Sequence, residues 1–127
     1  MATKDLAIGV IGLGMGADLF YLNQDANSRM FVKAVCDASE ARLQKAANVP
    51  GVEFVTTRFE ELVGRDDLQI IGVYSPDHLH AQHAIAALEA DKHVVITKPM
   101  VTTLQQGIEL ARAQDKAGKK VLVGETC

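Results

Sequence analysis

Short apolar runs alternate with longer stretches of helical spacing along most of the chain. "LAIGVIG" (6–12) is apolar, β-branched and closed by glycine, which predicts a buried strand. "MGADLFYLNQ" follows, with Leu19, Phe20 and Leu22 at helical spacing. The pattern then gives a second strand over 30–37 and a helix over 39–47. Ser39 is the expected N-cap of that helix, and Ala41, Leu43, Ala46 and Ala47 turn partly inward. A short third strand covers 52–56, and "RFEELVG" forms one or two helical turns stopped by Gly64. A fourth strand, "LQIIGVYS" (68–75), runs into a helix over "PDHLHAQHAIAALEAD". A fifth strand covers 92–99, the last helix ends at Gly118 as its C-cap, and a sixth strand covers 119–126. Crossovers of this length join parallel strands with a right-handed connection. The expected class is α/β: a doubly wound, mostly parallel six-stranded sheet with helices on both faces.

The first strand opens into "GLGMGA", where Gly12, Gly14 and Ala17 fit the G-x-G-x-x-G/A fingerprint of a dinucleotide-binding turn. Gly12 allows the tight turn, Gly14 lets the backbone approach a pyrophosphate, and Ala17 lets helix pack on strand. Gly16 loosens the turn further. The pyrophosphate is expected at the helix N-terminus, beside Leu13 and Met15. An acidic residue belongs about 20 positions on, at the end of the second strand, and Asp37 is there. Its carboxylate would accept from the adenosine ribose hydroxyls and repel a 2′-phosphate. No basic residue stands at 38 or 39, and Arg42 reads as a solvated helix residue. The expected ligand is therefore NAD rather than NADP.

"SPDHLHAQH" (75–83) puts three histidines within six positions. Ser75 suits a cap, Pro76 the first helical position and Asp77 the first turn. At about 100° per residue, His78 and His80 point roughly 160° apart, so only His80 and His83 share a face. No metal site is expected. His78 reads as solvated or as a cap partner, His83 as a helix-surface residue, and His80 as a residue of the ligand edge. The fifth strand ends in Thr97-Lys98-Pro99. Pro99 biases Lys98 toward an extended conformation. Lys98 is either a solvated strand-end charge or an ammonium placed to stabilise an alkoxide during hydride transfer.

The length of 127 residues suits one domain. A net charge of −3 argues against nucleic-acid and anionic-membrane partners. The apolar runs are far too short to span a bilayer, and the N-terminus lacks a signal-peptide pattern. Cys36 and Cys127 read as free thiols of a reducing, cytoplasmic protein.

Together, "VIGLGMGA", "AVCDASEAR", "YSPDHLHAQHAIAALEADKHV" and "TKPM" resemble the N-terminal domain of the glucose–fructose oxidoreductase/inositol dehydrogenase (Gfo/Idh/MocA) family, over essentially the whole chain. The resemblance implies an NAD(P)-dependent dehydrogenase of sugars, polyols and related compounds. It implies that Lys98 matches the lysine of the family's Glu-Lys-Pro motif, contacting substrate and nicotinamide. It implies that Ser75, Pro76 and His80 match a segment lining the dinucleotide site. Thr97 replaces the motif's glutamate. The family's second domain, which carries the substrate wall and the acid–base residues, has no counterpart in 1–127. On this reading the chain binds a dinucleotide without turning over and meets a small-molecule substrate only with that second domain. Apolar surface left by the second domain would favour a homo-oligomer. A non-catalytic dinucleotide-sensing module is the alternative, and Lys98 distinguishes the two, since a sensor need not keep it.

Overall fold

The computed structural model describes residues 3–124. Six parallel strands form one sheet: β1 (Leu6–Ile11), β2 (Met30–Cys36), β3 (Phe54–Thr56), β4 (Ile70–Val73), β5 (His93–Thr97) and β6 (Val121–Gly124). Their order is β3-β2-β1-β4-β5-β6. The chain builds outward from β1 to β3, then returns to the other side of β1. That reversal leaves a crevice beyond the carboxyl ends of β1 and β4, where open α/β sheets bind ligands. Glu125 and Thr126, expected at the end of the sixth strand, and Cys127 lie outside the described residues.

The helices are α1 (Tyr21–Gln24), α2 (Glu40–Ala46), α3 (Phe59–Val63), α4 (His80–Glu89) and α5 (Leu104–Ala117). The expected first helix is a composite: Met15–Phe20 winds as a 3-10 helix before α1 begins. Ser39 caps α2 as expected, its side chain accepting from the Arg42 N–H. Leu43 and Ala46 are buried there, but Ala41 and Ala47 are exposed, so the inward stripe is narrower than the alanines implied. Thr103 caps α5 and Gly118 ends it at φ 67°.

The core divides between the two faces of the sheet. In β1, Ile8 and Val10 pack on one face with Leu22 and Leu43, while Ala7 and Ile11 pack on the other with Leu62, Ile71 and Leu88. That is the period-2 alternation of a strand covered on both sides. A register shift against β2 falls between Ile8 and Gly9. It explains why Val32 and Val35, three apart, share one face while Ala34 and Cys36 take the other.

Candidate functional site

β1 ends at Gly12, whose φ is 96°. A side chain there would run into the Tyr74 carbonyl, so only glycine makes this turn. The Gly12 N–H donates to the Cys36 carbonyl at 2.8 Å, and the Tyr74 N–H donates to the Ile11 carbonyl at 2.8 Å. The glycine turn is thus held by the ends of β2 and β4. Gly14 is exposed, and the nearest atom to a Cβ placed there is the Arg42 guanidinium, 3.9 Å away. Its backbone is open to a ligand. Gly16 differs from expectation. It is buried, and a Cβ there would stand 2.7 Å from Val10 Cγ1. The close packing assigned to Ala17 belongs to Gly16, because the segment winds as a 3-10 helix at three residues per turn.

Asp37 lies just past β2 and is almost fully buried. Its Oδ2 accepts from the Leu13 N–H at 2.7 Å and its Oδ1 from the Ser39 N–H at 2.8 Å. The carboxylate therefore clamps the glycine turn to the end of β2. Arg42, read from sequence as a solvated helix residue, sets its guanidinium 3.7 Å from the same Oδ2. Its side chain is 57% exposed, yet it forms part of the site wall.

Beyond β4 the chain departs from the capping pattern. Pro76 is extended (φ −55°, ψ 147°) and precedes a 3-10 turn over Asp77–Leu79, which no side chain caps. The Ser75 hydroxyl instead pairs with His83 Nδ1 at 2.7 Å. His83 is buried, correcting its expected place on the helix surface. Positions 80, 83, 84, 87 and 88 form the inner stripe of α4 at i, i+3, i+4, i+7 and i+8. The His83 ring lies 4.4 Å from the Phe59 ring, centroid to centroid. Burial lowers its pKa below the ordinary 6.5. His78 is exposed, as expected.

His80 shows no exposed surface at all. Its Nδ1 lies 2.6 Å from the Pro99 carbonyl and its Nε2 lies 2.7 Å from the Ser75 carbonyl. Both acceptors are satisfied together only when both ring nitrogens carry a proton. His80 thus ties the loop after β4 to the loop after β5. Thr97 is buried, Lys98 is exposed, and the Lys98–Pro99 peptide is cis.

A cavity of about 500 Å3 sits over these strand ends. Of the residues expected to bind the cofactor, Gly12, Gly14, Asp37, Ser75 and Pro76 line it. Leu13, Met15, Gly16, His80, Thr97 and Lys98 do not. Arg42, Phe59, Tyr74 and His83 line it without having been anticipated. The inner stripe of α4 carried a signal for His83, but nothing local marked the others. Among the described residues, no three His, Cys, Asp or Glu side chains gather as metal ligands. No helix among them is long and apolar enough to cross a membrane.

Residues 6–125 match the family model of an oxidoreductase family with an NAD-binding Rossmann fold, GFO_IDH_MocA. The chain belongs to this family. Among GFO_IDH_MocA-like relatives, it is 31% identical over 121 residues to inositol 2-dehydrogenase of Salmonella typhimurium, covering 92% of this chain and 35% of the relative. It is 29% identical over 115 residues to scyllo-inositol 2-dehydrogenase (NADP(+)) of Bacillus subtilis, covering 89% of this chain and 31% of the relative. The fold superposes on Lactobacillus casei scyllo-inositol dehydrogenase, solved with NAD(H) and scyllo-inositol, with a TM-score of 0.87 at 26% identity over 95% of this chain and 36% of that one. The chain spans about a third of the length of the curated relatives it matches.

Proposed function

We propose that this chain is the NAD-binding domain of a dehydrogenase acting on a secondary alcohol of a sugar, polyol or related compound. The observation that carries the reading is the clamp of the glycine turn by Asp37, at the mouth of one cavity beside the β1/β4 reversal. Two backbone N–H groups use one lone pair on each Asp37 oxygen, leaving the others for ribose hydroxyls. Gly14 gives the pyrophosphate an open stretch of backbone. A bound nicotinamide would supply the hydride acceptor. Lys98, exposed at the carboxyl end of the sheet, would donate a hydrogen bond to the substrate oxygen. The proton acceptor lies outside this chain, so the chain alone binds cofactor without turnover.

The Asp37 carboxylate favours NAD over NADP, because a 2′-phosphate meets it as like charge. Arg42 beside it weakens that discrimination by offering the phosphate a cation. Calorimetric titration with NAD and NADP, on the chain and on Asp37→Ala and Arg42→Ala, tests the reading. NAD binds more tightly than NADP, Asp37→Ala loses NAD, and Arg42→Ala widens the preference for NAD. Failure to bind either dinucleotide overturns the proposal.

A further inference from the structure

The Ser75–His83 pair is not required by anything in the cofactor fingerprint. Both side chains are buried, they meet at 2.7 Å, and both line the cavity that holds Gly12 and Gly14. We propose that this pair is a proton-dependent hydrogen-bond switch in the cavity wall, so that an anionic dinucleotide binds with uptake of a proton by His83. The proposal rests on the cavity being a dinucleotide site and adds a linked proton to it.

The argument follows from hydrogen-bond polarity. In the neutral ring with its proton on Nε2, Nδ1 accepts from the Ser75 hydroxyl. The Ser75 oxygen then offers only lone pairs to the cavity, which suits no phosphate. When His83 is protonated, Nδ1–H donates to Ser75 Oγ, and the hydroxyl hydrogen is freed to point at a ligand. A neutral ring with its proton on Nδ1 would free the hydroxyl too, but only protonation adds a positive charge to the wall with it, and that charge links anion binding to pH. A pyrophosphate favours that state, and the free cavity does not.

The surroundings leave His83 as the titrating group. Desolvation by the packed wall disfavours its proton most, His80 of α4 itself adds to that, and Glu60 from α3 acts the other way. From β2 and α2, Asp37 and Arg42 bring one charge of each sign. Burial pushes the Cys36 thiol up to about 11 and raises the Tyr74 phenol, so neither charges near neutrality. His83 Nε2 makes no hydrogen bond among the described residues, yet no sealed side-chain nitrogen or oxygen there lacks a partner. That nitrogen therefore reaches solvent and has a route for its proton.

The test is calorimetric titration of the chain with NAD at about pH 8 and about pH 6, in two buffers of different ionisation heat. Proton uptake is expected near pH 6 and is absent near pH 8. Affinity rises roughly threefold to tenfold as the pH falls between them. In H83Q the rise shrinks to less than about twofold, while S75A reduces it only in part, since His83 still gains its charge there. NMR needs no variant: the His83 ring, assigned through its contact with Phe59, titrates at higher pH when saturated with NAD. NAD binding without proton uptake, or an unmoved His83 midpoint, overturns the switch and leaves the dinucleotide site standing. No binding at either pH overturns both.

Discussion

Gly12 and His83 show how single residues set this site. At Gly12 the backbone takes a conformation L side chains rarely adopt, and a Cβ meets a carbonyl that cannot move aside. Gly12→Ala should cost on the order of 3 kcal/mol of stability, read by denaturant unfolding. At His83 the folded pKa lies below 6.5 because the ring is buried. Its stabilising contribution is therefore full above pH 6.5 and is lost as pH falls through the lowered folded value. Thermal melts between about pH 7 and pH 5 should show a falling melting temperature, with the slope reduced in His83→Gln. The places of Gly12 and Asp37 at the cavity were legible in the sequence because both follow from a fixed spacing from one strand. Arg42 and Phe59 were not, since each reaches the cavity from an element whose placement only the fold decides.

The elements themselves were legible wherever burial set their pattern. Each strand expected from an apolar run is present, but the ends are shorter than the runs. The fourth run extends to Ser75, whereas β4 stops at Val73. Tyr74 still donates to the Ile11 carbonyl, but it and Ser75 turn into the crevice, and apolar character does not report where a strand ends. The first helix begins as a 3-10 helix, which brings Gly16 rather than Ala17 onto Val10, and helical spacing in the sequence does not distinguish the two windings. Caps were more legible because they depend on residue type. Gly118→Ala, placing a Cβ at φ 67°, should lower stability by about 1 kcal/mol without touching the cavity. Leu62→Ala in α3 removes a fully buried side chain and should cost roughly 2–5 kcal/mol in the same unfolding experiment.

At the scale of the molecule, the last strand and the last helix both expose apolar side chains. β6 is an edge strand with Leu122 64% exposed, and α5 begins with Leu104 83% exposed and carries Ile108 beside it in sequence register. An open edge of this kind templates pairing with another chain. Light scattering should show mass rising with concentration, and Leu122→Lys should suppress the rise. A constant monomer at high concentration would remove self-association from the picture. The carboxyl ends of the neighbouring strands β4 and β5 behave differently. His80 joins the loop at Ser75 to the loop at Pro99, through carbonyls at both ends of one ring. Neither loop can swing out without breaking a contact that also restrains the other. The two therefore count as one cooperative unit. In hydrogen exchange, amides around Ser75 and around Met100 should share a single opening rate, and His80→Ala should split it in two. Lys98 rides on that unit, so its backbone is as steady as the cavity wall it stands beside.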